Sequence, residues 1–258
     1  MSTRVAVAGA RGRMGTELLA ARDAVAGVVV TAALLRPGSG AAGLDGAAGG
    51  LLVADAPDAL AGAVDVVVDF TAPAATAALA AWCAAHGVAL VSGATGLDEA
   101  AETALAAAAE RVPVYRARNM SLGVHALLRA LPILLATLPG CDVEIVETHH
   151  RGKRDAPSGT AVAIAEAVAA ARGATLAGSA TFGRQGIAPR AAGEIGIHAV
   201  RGGGNPGEHV VVLAGEGEEV RLAHRSFGRR AYAEGALRAA AFVHGRPPGR
   251  YGPNDLLG

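Results

Sequence analysis

The run Val5-Ala6-Val7-Ala8-Gly9-Ala10-Arg11-Gly12-Arg13-Met14-Gly15 decides how the first half of this chain folds. Small apolar residues suited to a buried strand stop at a glycine, and helical periodicity begins at Met14. At such a junction Gly9 permits the tight turn, Gly12 lets the backbone approach a pyrophosphate, and Gly15 lets the helix lie close to the strand. The helix start adds unpaired N–H groups and partial positive charge, which suit a bound phosphate. The spacing is a variant of the usual dinucleotide fingerprint, and a plain glycine turn is the competing reading in a chain with 36 glycines. Placement at the first strand–helix junction favours the dinucleotide. The residues expected to hold it here are Gly9, Ala10, Arg11, Gly12, Arg13 and Met14.

Moving outward, apolar runs predict strands at 4–8, 28–35, 64–70, 88–92 and 112–115. Helical periodicity predicts helices at 14–26, 74–85 and 98–110, and a Gly-Ala-rich loop occupies 38–50. Continuous apolar strands separated by helices indicate a parallel sheet covered on both faces. The pattern changes after residue 119. A long helix at 122–138 is expected to kink or split at Pro132. A strand at 142–148 and a helix at 158–172, capped by Ser158, follow. Strands at 180–182, 194–200, 209–213 and 218–224 have no long helices between them, and 229–243 returns to helix. The predicted fold is α/β: a Rossmann-type nucleotide domain from 1–120 and 228–258, and a second α+β domain with a mixed or antiparallel sheet from 121–227.

Composition narrows the function. A hydrophobic fraction of 52% in 258 residues supports large buried cores rather than disorder. A formal net charge of zero gives no global field for nucleic acid or an anionic membrane. Arg225, Arg229 and Arg230 cluster without stacking aromatics. The uncharged stretch 70–97 is broken by Pro73, Gly87, Gly93 and Gly96, so no membrane span is expected. Two cysteines form neither a disulfide framework nor a metal-ligand spacing. With an amino terminus that enters a strand at once, they point to a reducing cytoplasm.

The end of the second strand reads Ala33-Leu34-Leu35-Arg36-Pro37-Gly38. NAD sites usually place a carboxylate here for the ribose, and NADP sites an arginine for the extra phosphate. Leu35 can do neither and Arg36 can pair with phosphate, so a preference for NADPH over NADH is expected. Asp45, in the following loop, is a possible alternative carboxylate.

The segment Glu147-Thr148-His149-His150-Arg151-Gly152-Lys153-Arg154-Asp155-Ala156-Pro157-Ser158-Gly159-Thr160 is the most informative. Among 23 Lys and Arg residues, Lys153 is the single lysine. An ammonium is compact and can exchange its proton, whereas a guanidinium stays charged and planar. A position that is lysine in an arginine-only chain suggests a place where arginine could not serve. Gly152 and Pro157 form a turn, and the helix start at Ser158 points positive charge toward it, a setting for a substrate carboxylate. A solvated surface loop with locally bonded histidines is the competing reading. Zinc is disfavoured because adjacent His149 and His150 lack further ligand spacing.

His-His-Arg-x-Lys-x-Asp-Ala-Pro-Ser-Gly-Thr resembles the signature of the 4-hydroxy-tetrahydrodipicolinate reductase (dihydrodipicolinate reductase) family. The similarity extends through the glycine loop, Asp69-Phe70-Thr71, Gly93-Ala94-Thr95-Gly96, Asn119-Met120-Ser121-Leu122-Gly123, Arg201-Gly202-Gly203, Gly207-Glu208-His209 and residues 224–235. The resemblance implies hydride transfer from nicotinamide to an unsaturated cyclic dicarboxylate on the route to diaminopimelate and lysine. It implies His149 as general acid and base, and Lys153 as proton donor or carboxylate holder. His150, Gly159 and Thr160 would bind carboxylate. Gly93, Ala94, Thr95, Ala117, Arg118, Asn119 and Met120 would line the cofactor, alongside Arg36. A homotetramer built through the second domain's sheet is also implied.

Three positions depart from the family pattern. Leu35 replaces an acidic ribose partner, so Leu35→Glu is expected to improve use of NADH. Ala94 replaces a frequent threonine, and Arg118 a small residue or proline. A dehydrogenase of acyclic amino or hydroxy acids would share the nucleotide domain but not the 147–160 segment. A non-catalytic nucleotide sensor would leave Lys153 and the paired histidines without a role.

Overall fold

A computed structural model describes residues 2–39 and 50–258. The chain divides into two compact units, Met1–Ser121 with Arg229–Gly258, and Leu122–Gly228.

The first unit holds strands β1 (Thr3–Ala8), β2 (Val28–Leu34), β3 (Leu52–Ala54), β4 (Val66–Asp69), β5 (Ala89–Ser92) and β6 (Pro113–Arg116). Helices α1 (Arg13–Ala20), α2 (Pro73–His86) and α3 (Glu99–Ala109) connect them. The strand order is β3-β2-β1-β4-β5-β6 with all pairs parallel. This is the doubly wound order whose crevice opens where the strand order reverses, between β1 and β4. Alternation along β1 shows why two helix layers are needed. Val5 and Val7 join the apolar cluster containing Leu18 and Leu237, while Ala6 and Ala8 join the one containing Leu79, Trp82 and Leu105. Both faces of the strand are therefore buried, which is the reason its sequence is continuously apolar.

The second unit is built from α4 (Leu122–Thr137), β7 (Asp142–His149), α5 (Gly159–Ala171), α6 (Leu176–Ser179), β8 (Ala180–Phe182), β9 (Ile195–Arg201), β10 (Glu208–Ala214) and β11 (Glu219–Arg225). Its five-stranded sheet runs β11-β10-β7-β9-β8. β10 is antiparallel to β7 and β11, whereas β9 is parallel to β7 and β8, so the sheet is mixed. The chain then returns to the first unit with α7 (Arg230–Val243), β12 (Gly249–Tyr251) and α8 (Pro253–Leu257). β12 extends the parallel sheet beyond β6.

Three expectations change. Pro132 does not split the helix expected there, since α4 is one element from Leu122 to Thr137. Proline removes one helical hydrogen bond, but Leu127, Leu131 and Leu135 are buried together with Ile145 and Ile164, and that packing holds the helix through it. α1 ends at Ala20 rather than continuing to 26, because turns at Ala21 and Val25 lead the chain into β2. The three-residue strands β3 and β12 escaped the sequence reading. The 38–50 loop expectation, and Asp45 with it, falls largely outside the described residues.

Candidate active site

In the first unit, β1 delivers Gly9 in a left-handed conformation (φ +69°), with its N–H donated to the Leu34 carbonyl at 2.9 Å. The turn closes when Gly12 N–H donates to Gly9 O at 2.7 Å. A Cβ at Gly15 would overlap the Gly9 carbonyl and the Ala10 backbone, so only glycine lets α1 begin this close to the strand. Asp69, fully buried at the end of β4, accepts from Thr71 N (2.8 Å), Thr71 Oγ1 (2.5 Å), Thr76 Oγ1 (2.7 Å) and Ser92 Oγ (3.1 Å). These bonds fix the chain at Phe70 and Thr71, and Gly93 leaves room for the Phe70 ring. On α7, a Cβ at Gly235 would strike the Met120 carbonyl, so the helix lies directly on that backbone.

Together these segments enclose a cavity of about 370 Å³. It is lined by Gly9, Gly12, Arg13 and Met14 from the glycine loop, by Gly93, Ala94 and Thr95, and by Arg118, Asn119 and Met120, all of which the sequence singled out. Gly15, Phe70, Thr71 and Tyr232 also line it and were not anticipated as cofactor contacts. Tyr232 arrives from the far end of the chain, one helical turn before Gly235. Ala10 and Ala117 are buried in the core instead. The glycine cradle and the open start of α1 fit a dinucleotide pyrophosphate.

Arg11 and Arg36 lie away from the cavity lining but converge on one turn. Arg11 donates to the Ser39 carbonyl at 2.9 Å, and Ser39 N and Oγ bond the Arg36 carbonyl at 3.1 and 2.7 Å. Asp55, which the sequence reading missed, brings a carboxylate to the same turn, 3.3 Å from Gly38 N. Leu35 is buried in the apolar cluster with Ala10 and Val7. The expectation for Leu35→Glu is corrected accordingly: the substitution would bury a carboxylate in the core, where it is costly, rather than offer it to a ribose.

The second unit assembles the 147–160 segment. Val143, Ile145, Glu147 and His149 occupy the buried face of β7 at every second residue. Glu147 is fully buried. Arg201 on β9 donates from both terminal nitrogens, 2.7 Å to each carboxylate oxygen. His149 Nδ1 lies 2.5 Å from Glu147 Oε2, and Ser158 N–H donates to Oε1 at 3.0 Å. Burial pushes the Glu147 carboxyl up, but Arg201, His149 and the Ser158 N–H outweigh it and hold the group below its ordinary range. Burial lowers the His149 imidazole, Glu147 opposes this, and Lys153 and Arg201 reinforce it, so the net direction is down.

His209, opposite Glu147 on β10, places its Nε2 2.9 Å from Ser158 Oγ, and Ser158 Oγ accepts from Ala161 N as the α5 cap. The His149 and His209 rings meet edge-on, 5.3 Å apart. Burial chiefly, and then the neighbouring His149, pushes His209 down to about 4. Lys153 Nζ donates to both Asp155 oxygens at 2.9 Å. The turn bearing it is pinned by His150 N to Asn205 O (2.7 Å) and Arg151 N to Gly203 O (3.2 Å). His150 is exposed, and Gly159 and Thr160 form the first turn of α5 beyond the Ser158 cap. Glu147, Arg201, His209 and Gly207 are the members of this cluster that had no assigned role in the sequence, and Ser158 had been assigned only its role as helix cap, which it fills. Arg201 and His209 had appeared only inside motifs. Among the described residues, no group of three or more His, Cys, Asp or Glu is placed to hold a metal.

A glycine-loop cavity on a doubly wound sheet, and a separate unit carrying a buried carboxylate–histidine pair beside a lysine, define a two-unit oxidoreductase of the dinucleotide-binding class. Family models confirm and sharpen this. Residues 3–120 match the dihydrodipicolinate reductase N-terminus and residues 123–257 its C-terminus. The chain belongs to the dihydrodipicolinate reductase family. It is 48% identical to the 4-hydroxy-tetrahydrodipicolinate reductase of Thiobacillus denitrificans over 100% of this chain and 99% of that one. Identity to the same enzyme of Rubrobacter xylanophilus is 46%, with 98% of both chains covered. Among solved structures, a dipicolinate-bound dihydrodipicolinate reductase from Paenisporosarcina sp. TG-14 superposes with a TM-score of 0.79 at 25% identity, covering 99% of each chain. The family is one of nicotinamide-dependent reductases.

Proposed function

We propose that this chain reduces 4-hydroxy-tetrahydrodipicolinate to tetrahydrodipicolinate with NAD(P)H, in the diaminopimelate and lysine pathway. The observation that carries the reading is the Glu147–His149 pair beside Lys153, on a chain whose two halves match the two halves of one reductase family. Loss of the 4-hydroxyl as water leaves a conjugated ring, and one hydride and one proton complete the product. A bound reduced nicotinamide supplies the hydride. Gly9, Gly12, Arg13 and Met14 hold its phosphates, while Gly93, Ala94, Thr95, Arg118, Asn119 and Met120 line the rest of its cavity.

In the second unit, His149 supplies the proton through Nε2, because Nδ1 is committed to Glu147. Lys153 neutralises a substrate carboxylate or donates a proton. The exposed His150 and the α5 start at Gly159 and Thr160 take up carboxylate charge, helped by the positive end of the helix. Placing these charges before reaction is what lowers the barrier for charge that develops during hydride addition.

The finer features belong to the same proposal. The first unit is the dinucleotide-binding domain, and the second binds substrate and mediates oligomerisation. Arg11 and Arg36, meeting at Ser39, favour NADPH over NADH. Exposed Phe182 and Val200 on the second unit's sheet support assembly as a homotetramer through that sheet. Free thiols at Cys83 and Cys141 fit a reducing cytoplasm. His149→Gln tests the core of the reading. Turnover is expected to fall roughly a hundredfold or more with little change in KM, and a loss confined to KM would assign His149 to binding alone.

A further inference from the structure

The Glu147 carboxylate accepts four hydrogen bonds from three elements. Arg201 Nη1 and His149 Nδ1 share Oε2, while Arg201 Nη2 and Ser158 N–H share Oε1. An ionised carboxylate can only accept, so each neighbour must bring the hydrogen. His149 Nδ1 therefore carries a proton, and Nε2 is the nitrogen left for exchange. The bidentate fork of Arg201 fixes the plane of the carboxylate, and Ser158 N–H at the α5 cap fixes its third side. Arg201 Nη2 also donates to the Asp155 carbonyl at 2.8 Å, linking the same guanidinium to the turn that carries Lys153.

We infer that Glu147 and Arg201 act as a positioning pair for His149, holding the imidazole in the tautomer and orientation that present Nε2 to substrate. The inference rests on the reading of His149 as proton donor and goes beyond it. A buried ion pair with a purely structural role would satisfy its own charges and leave the histidine indifferent. Here one carboxylate oxygen is shared between the guanidinium and the imidazole, so the ion pair and the ring orientation cannot be set independently.

The charged, titratable and hydrogen-bonding groups facing His149 are Glu147 on its own strand, Arg201 on β9, His209 on β10, Ser158 at the start of α5 and Lys153 in the turn. Removing the Glu147 charge leaves mostly influences that disfavour imidazolium. Glu147→Gln is therefore expected to move the limb on which turnover falls with rising pH to lower pH.

The test compares the native protein with Glu147→Gln, Arg201→Gln and the double variant, with His149→Gln as reference. Arg201→Gln strands the buried Glu147 charge and Glu147→Gln leaves the half-buried Arg201 without its counter-ion, so either single change can destabilise the unit, whereas the double change removes both charges together. In folded variants, kcat is expected to fall by roughly tenfold or more, with the cofactor dissociation constant unchanged. The 15N signals of His149 should change from a single Nδ1–H tautomer to a mixture. A fully folded double variant with native kcat, native pH profile and an unchanged tautomer would overturn the inference. If His149→Gln itself retained turnover, the proton-donor reading would fail first. Loss in His149→Gln with native behaviour in the carboxylate variants would reject the positioning pair alone.

Discussion

Gly207 stands where a side chain would strike His149: a Cβ there would lie 2.9 Å from Nε2. Its backbone also takes φ +150°, which side chains other than hydrogen rarely tolerate. Gly207 is held in place by Asn205 Oδ1, which accepts its N–H at 2.9 Å, and by Ser226 N–H, which donates to its carbonyl at 2.8 Å. The glycine thus keeps clear the nitrogen assigned to proton exchange. Gly207→Ala should lower kcat by roughly tenfold or more while leaving the cofactor dissociation constant near native, since none of the residues lining the glycine-loop cavity comes from this segment. Steady-state kinetics with a cofactor titration checks it, and native kcat in a folded variant would contradict it.

Lys153 differs from the chain's other basic residues in kind as well as in name. Its ammonium donates to both Asp155 oxygens and the side chain is half-buried, while Asp155 itself is exposed. Arginine could keep that ion pair, so Lys153→Arg should fold and bind cofactor normally. Turnover should nevertheless drop by roughly a hundredfold, because a guanidinium neither releases its proton nor fits as a compact donor. Near-native turnover would show that any cation suffices at this position.

The histidines give stability a pH dependence of definite sign. His209 titrates at 6.5 when unperturbed and at about 4 in the fold. Between those values the unfolded chain binds the additional proton, so stability rises with pH and is lost as pH falls from about 6.5 toward 4. His149 is shifted the same way, whereas Glu147 contributes stability that is lost as pH falls through its lowered carboxylate range. Thermal melts of native protein across this window should steepen downward on acidification. His209→Asn should flatten that slope whatever it does to the absolute midpoint. An unchanged slope would remove His209 from the account.

Cofactor choice is testable at Arg36. If the turn joining Arg11, Arg36 and Ser39 receives the extra phosphate of NADPH, Arg36→Ala should weaken NADPH by about tenfold, in the range of a charge-assisted contact, and leave NADH little changed. Calorimetric dissociation constants for both nucleotides decide this. Native binding of NADH as tight as or tighter than that of NADPH would overturn the preference.

Much of this was legible in the sequence because the signals were local. The glycine loop announces its turn through three glycines spaced three residues apart, Gly9, Gly12 and Gly15, and the apolar strands announce burial on both faces by their lack of alternation. The 147–160 segment carried its own chemistry. What was not legible depends on pairings across long stretches of chain. Arg201 reaches Glu147 from 54 residues away only because β7 and β9 are parallel neighbours with His149 opposite Arg201. Tyr232 enters the glycine-loop cavity only because α7 returns to the first unit. The direction of Leu35 depends on the twist and packing at the end of β2, which no residue count reveals. β3 and β12 are too short for periodicity to register and owe their existence to the strands they pair with.

The central claim is the reaction itself, and the most direct measurement is a coupled assay on the native chain. Pyruvate and aspartate semialdehyde are condensed enzymatically, the aldol product is supplied, and oxidation of NADPH is followed by its absorbance. The account predicts stoichiometric, enzyme-dependent oxidation that requires the condensation product, is inhibited by pyridine-2,6-dicarboxylate, and is nearly abolished in His149→Gln and Lys153→Arg. Absence of oxidation by folded, cofactor-binding native protein, with either NADPH or NADH, would contradict it.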